Sequence, residues 1–225
     1  MSLRIVRDGR IVELVLDRPP INALDGEHYD ALASAFGEAR ADDVVVLRSD
    51  ARHFCTGQDL REHEVAKDAE QAAADLRRGA AAVIAALRCE APIVAAVHGA
   101  AIGAGALLAC SADVLLTSDD AWFSLPELQV GVTIGGAVAA RTLGGALTRR
   151  MLLTGERVSA AQVVAIGASR LVGRDDLESS AREEASAIAR LDPALVSLAR
   201  RTWGSGEREA AAQAYEAEIE AFLAR

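Results

Sequence analysis

Hydrophobic and polar positions alternate at the start of the chain, where "LRIVRDGRIVELVLD" sets two β-branched runs on either side of Asp8-Gly9. The pattern predicts a hairpin with Asp8-Gly9 as its two-residue turn. "RPPINAL" ends the second strand, and Asp25 is placed to cap a helix whose apolar face carries Tyr29, Leu32 and Phe36. "DDVVVLRS" and, after Pro92, "IVAAV" are short and apolar, as strands covered on both faces are. Between them "HFCTGQDLREHE" reads as a loop leading into an Ala-rich helix from about Asp68 to Leu87. "ADVLLTSDDAWFSLPE" supplies another strand and a further loop, and "SAAQVVAIG" reads as a capped helix ending at Gly167. Beyond Ser169 the pattern is helical to Arg225. Strands alternating with helices over the first two thirds predict an α/β layered fold, with the helical tail packed on it or on a neighbour. No linker divides the chain, and no repeat of fixed period shows.

Composition narrows the function classes. The 225 residues suit one α/β domain, and a net charge of -9 lacks the basic footprint of a nucleic-acid binder. Cys55, Cys89 and Cys110 are odd in number and widely spaced, which predicts neither a disulfide framework nor a zinc site and fits a reducing, cytoplasmic setting. The N-terminus lacks the apolar core of a signal peptide. Residues 93–110 are interrupted by His98 and three glycines and lean on alanine, so no membrane span is expected.

The stretch "HGAAIGAGALLACSAD" then asks what Gly99, Gly103 and Gly105 are for. A dinucleotide fingerprint needs a small residue where Leu108 stands, and no Gly-Lys-Ser/Thr follows for a phosphate loop. Two readings remain: a tight packing corner, or a strand-to-helix turn whose N–H groups face a developing anion. "VVVLRSDARHFCTGQDL" contains a second turn of the same kind at Gly57-Gln58-Asp59. Two such N–H donors aimed at one oxygen make an oxyanion hole.

"LDRPPINAL", "HFCTGQDL", "APIVAAVHGAAIGAGALLACSAD", "FSLPELQVGV" and "LLTGERVSAAQVVAIG" occur in the order found in the enoyl-CoA hydratase/isomerase (crotonase) family, which the chain resembles from about residue 3 to 175. The resemblance implies a fold of repeated ββα units over residues 1–170 and a helical, trimer-forming region over 171–225. It implies an acyl-CoA thioester substrate, no separate cofactor or metal, and a homotrimer or dimer of trimers. The oxyanion donors fall on the backbone N–H groups of Gln58 and Ala104. The CoA and acyl portions would run along Ile21, Ala23, Thr56, Asp59, Leu60, Gly103 and Leu107, with Arg18 near a phosphate. Relatives continue with a further pocket-closing helix, so the expectation is that this wall, and a CoA-contacting Lys or Arg on it, is missing after "EAEIEAFLAR".

Hydratases of the family carry two glutamates. Here the first position is Leu107, and the second is present as Glu127 in "SLPELQVG". Hydration needs a water activated and a proton delivered, whereas moving a double bond needs one carboxylate that takes a proton from C2 and returns it at C4. Leu107 excludes water beside Glu127 and is expected to raise its pKa. The expected activity is therefore 3-enoyl to 2-enoyl isomerisation. The alternatives are hydration, another one-glutamate reaction such as C–C bond formation or decarboxylation, and a non-catalytic acyl-CoA-binding scaffold. His63 is a candidate second acid-base group. His98 reads as structural, and Ile134 stands where proline is common, which leaves the pocket floor open.

Overall fold

The computed structural model describes residues 3–59 and 69–225, except for the side chains of 69 and 203–205. β1 (Leu3–Asp8) runs antiparallel to β2 (Ile11–Leu16), and Asp8 pairs with Ile11. The hairpin turn is therefore Gly9-Arg10, one residue later than the pattern predicts. Gly9 takes the first central position, where its φ of +57° is tolerated. That register keeps Val12, Leu14 and Leu16 on the core side.

β2 begins a parallel series with β3 (Val44–Ser49), β4 (Ile93–Val97), β6 (Val114–Thr117) and β9 (Arg170–Leu171), giving the sheet order β1-β2-β3-β4-β6-β9. A smaller sheet, β5-β7-β8, is formed by Ala100–Ile102, Trp122–Ser124 and Val158–Ser159. β7 lies inside the stretch expected to be loop. Single bridges Leu24–Gln58 and Cys55–Ala101 extend the smaller layer toward the start of the chain. Successive units thus place one strand in the large sheet, one extended segment in the small layer, then a helix.

The helices are α1 (Gly26–Glu38), α2 (Ala69–Arg88), α3 (Ala104–Cys110), α4 (Gly136–Leu143), α5 (Gly145–Thr154), α6 (Ala160–Ala165), α7 (Leu177–Ala189), α8 (Pro193–Ala199) and α9 (Ser205–Leu223). Asp25 caps α1 by accepting the His28 N–H, and Ser159 with Gln162 forms a capping box on α6. The wholly apolar strands are explained by cover on both faces. Val45 and Leu47 face the main core, while Val44 and Val46 pack with Leu177, Ala181 and Ala185 of α7. α9 lies on α2 and α4 of the same chain and adds Ala211, Ala212, Tyr215 and Ile219 to the main core. All three cysteines are buried and free. No helix among the described residues is long and apolar enough to cross a membrane.

Candidate active site

The two glycine turns meet because their backbones pair. Cys55 bridges Ala101, and the Ile102 N–H donates to the Cys55 carbonyl at 2.9 Å. Gly105 sits so close that a side-chain carbon there would collide with the Cys55 carbonyl oxygen. A side-chain carbon at Gly57 would stand 3.6 Å from the Ala104 nitrogen. Gly103 caps α3 at φ +53° and ψ -123°, a conformation that side chains strain to adopt. Ala104 is consequently the first helical residue, and its N–H has no carbonyl of its own helix to meet. Gly103 and Asp59 donate their N–H groups to the Ser124 and Leu24 carbonyls, while the neighbouring Ala104 and Gln58 N–H groups meet no backbone acceptor among the described residues.

Both turns open on one cavity of about 210 Å³. Its walls include Thr56, Gly57, Gln58, Gly103, Ala104 and Leu107, which brings together most of the site read from the sequence. Glu127 enters from a 3₁₀ turn, Glu127–Val130, that follows Pro126. The residue is 9% exposed, and its Oε2 has no hydrogen-bond partner among the described residues. Burial pushes its pKa up to about 7, because the ionised form loses water without gaining a cation. Leu107 is fully enclosed, and a side-chain carbon on Gly135 would touch its Cδ1 at 3.0 Å.

Ile134 lines the cavity, so it does form part of the floor. The turn behind it is held by Glu218 of α9, whose carboxylate accepts the Gly135 and Ala137 N–H groups at 2.7 and 2.8 Å. On the same helix Tyr215 lines the cavity. α9 thus contributes one side of the cavity wall, its apolar face docked back on α2 and α4.

Other expectations separate from the cavity. Ile21 is 40% exposed, and Ala23 is buried with its carbonyl accepting Arg18. Arg18 and Asp59 are paired with each other at 2.7 Å, and Arg18 also reaches Asp25. These four do not line the cavity. Leu60 and His63 lie outside the described residues. His98 is buried with Nε2 3.0 Å from the Ala51 carbonyl, in keeping with a structural role.

Three polar wall residues escaped the sequence reading: Tyr29, Tyr215 and Asp75. Tyr29 carries only the signal of an apolar helix face, and it is indeed core-facing. Asp75 is partly exposed and accepts Gln71 Nε2 at 3.0 Å, so it sits at the rim as an already bonded carboxylate. Asn22 was also missed as a positioning residue. Buried at φ +52°, it donates through Nδ2 to Ser49 Oγ and to the His53 and Phe54 carbonyls, fixing the strand end before the first turn.

Comparison with known proteins places this geometry. A model described as enoyl-CoA hydratase/isomerase matches residues 7–224. The chain is 34% identical over 211 residues to a carnitinyl-CoA dehydratase of Proteus mirabilis, covering 90% of this chain and 80% of the relative. It is 35% identical over 206 residues to a (7aS)-7a-methyl-1,5-dioxo-2,3,5,6,7,7a-hexahydro-1H-indene-carboxyl-CoA hydrolase of Rhodococcus jostii, covering 89% and 80%. Among solved structures, an enoyl-CoA hydratase/isomerase from Xanthobacter autotrophicus Py2 superposes with a TM-score of 0.90 at 28% identity, covering 100% of this chain and 87% of that one.

Proposed function

The chain belongs to the enoyl-CoA hydratase/isomerase family, and from that premise we propose that it binds an acyl-CoA thioester and moves a proton on its acyl chain through Glu127. The thioester oxygen accepts the Gln58 and Ala104 N–H groups, which hold the charge that develops when the α-proton leaves. Glu127 takes that proton from C2. Returning it at C4 converts a 3-enoyl to a 2-enoyl thioester without a separate cofactor. One observation carries the reading: among the described residues, a buried carboxylate with an unpartnered oxygen shares a cavity with two backbone donors that meet no backbone acceptor. A base with a pKa of about 7 is matched to neutral pH, where it is half ionised and still a useful proton acceptor.

Glu127→Gln keeps the shape and removes the base. Turnover of a 3-enoyl-CoA is expected to fall by two to four orders of magnitude, roughly the range of general base catalysis. Retention of more than about a tenth of the activity would mean that another group carries the proton.

A second reading, dehydration of a hydroxyacyl thioester, draws on the dehydratase named among the relatives and on the further polar groups in the cavity wall. The ratio of 3-enoyl isomerisation to crotonyl-CoA hydration by the purified protein separates the two. The assembly is proposed to be a homotrimer or a dimer of trimers. Sedimentation of a stable monomer at micromolar concentration would overturn that.

A further inference from the structure

The segment before the first glycine turn and β5 before the second are tied by a short parallel ladder. The Ile102 N–H donates to the Cys55 carbonyl at 2.9 Å, and the Cys55 N–H donates to the Ala100 carbonyl at 3.1 Å. Rungs of a parallel ladder are evenly spaced along each strand, so the next one would carry the Ala100 N–H to the His53 carbonyl. Both lone pairs of that carbonyl are taken, by Asn22 Nδ2 at 3.1 Å and Ser49 Oγ at 2.7 Å. The Ala100 N–H donates instead to the His53 side chain, at 3.2 Å from Nδ1. Gly99 makes room for this, since a side-chain carbon there would stand 2.6 Å from the same nitrogen. Nδ1 can accept only while the ring is neutral with its proton on Nε2.

We propose that His53 is a positioning residue: its neutral imidazole replaces the missing rung between the two segments and so fixes the spacing of the Gln58 and Ala104 N–H groups. The inference rests on the thioester reading above, in which those groups share the substrate oxygen. Gln58 and Ala104 follow the ladder closely in each segment, so a slip in its register reaches both donors. The groups facing the ring are Arg52, Asp120, Arg174 and His98. Burial, Arg52 and Arg174 outweigh Asp120, itself paired with Arg174 at 2.6 Å, and hold His53 below the ordinary histidine range. The ring is therefore neutral at working pH. A proton gained in acid would turn Nδ1 into a donor facing the Ala100 N–H.

Steady-state kinetics on a 3-enoyl-CoA tests this with two variants. His53→Leu fills the space and removes the acceptor. Its kcat is expected to fall roughly ten- to a hundredfold, as for a catalytic group displaced by about 1 Å, while KM holds within about threefold. His53→Asn places an amide oxygen as many bonds from the backbone as Nδ1, and its kcat is expected within about threefold of wild type. The asparagine cannot gain a proton. The ratio of wild-type to His53→Asn turnover is therefore expected to fall at least about twofold from pH 7 to pH 5, beyond the Glu127 titration common to both. A merely structural His53 would not move that ratio, and the comparison holds whether or not His53→Leu folds. An unimpaired His53→Leu, a His53→Asn as slow as His53→Leu, or a ratio flat with pH would overturn the proposal. If wild type turns over the thioester and the ratio is flat, only the His53 clamp fails. If neither wild type nor His53→Asn acts on the thioester, the thioester reading fails and this inference with it.

Discussion

Glu127 Oε1 stands 3.0 Å from the point where a side-chain carbon on Gly103 would lie, so the carboxylate is packed against the residue that turns the Ala104 N–H into the cavity. In the proposed mechanism the base and one oxyanion donor are therefore set by the same piece of backbone. The Gly103 N–H in turn donates to Ser124, two residues before the proline that precedes Glu127.

The raised pKa of Glu127 has consequences for rate and for stability. Activity needs the ionised base, so turnover is expected to fall as pH drops below about 7, along a single-group titration. For stability the sign is opposite. The folded protein holds this proton more tightly than the unfolded chain, whose Glu titrates near 4.5, so the contribution of Glu127 to stability is full below 4.5 and is lost as pH rises through about 7. Glu127→Gln is expected to be the more stable protein at pH 8, by up to about 3 kcal/mol, as measured by denaturant unfolding at pH 4.5 and pH 8.

Ala104→Pro replaces one proposed oxyanion donor with a ring methylene that also projects toward the place of the thioester oxygen. Position 104 is the first residue of α3, where proline is well accommodated and the N–H is in no helical bond. Turnover is expected to fall by roughly 10²–10³, with the thermal midpoint nearly unchanged. Steady-state kinetics beside a melting curve checks both halves.

Leu107→Glu would place a second carboxylate beside Glu127. Hydration of crotonyl-CoA is expected to rise relative to isomerisation, since two groups then divide the work on water and carbon. The substituted side chain replaces a fully enclosed leucine packed near Gly135, so a stability loss of roughly 2 kcal/mol or more is expected. A wild type that already hydrates faster than it isomerises would contradict the expected role of Leu107.

Glu218→Ala cuts the tie between α9 and the start of α4. Two N–H groups lose a charged acceptor, and a loss of roughly 1.5–3 kcal/mol is expected in chemical unfolding. Because the freed turn carries Ile134 and backs Leu107, the KM for the acyl-CoA is expected to rise more than kcat falls. A change confined to kcat would argue against this linkage.

The sequence by itself determined whatever depends on near neighbours. Alternation and β-branching marked the strands, Asp25 and Ser159 marked helix starts, and five motifs in order marked the family with Glu127 at a definite place. Spacing alone could not reveal the repeated units that the resemblance implied, because the large-sheet strands are separated by very unequal stretches of chain and the small-layer segments shrink to single bridges at Leu24 and Cys55. Only the tertiary structure decided that α9 lines the cavity and that Tyr29, Glu127 and Tyr215 share its wall. An apolar helix face records that a side chain will be buried. Which partner buries it, and what chemistry the partner brings, depends on how helices distant in the chain dock around the sheet.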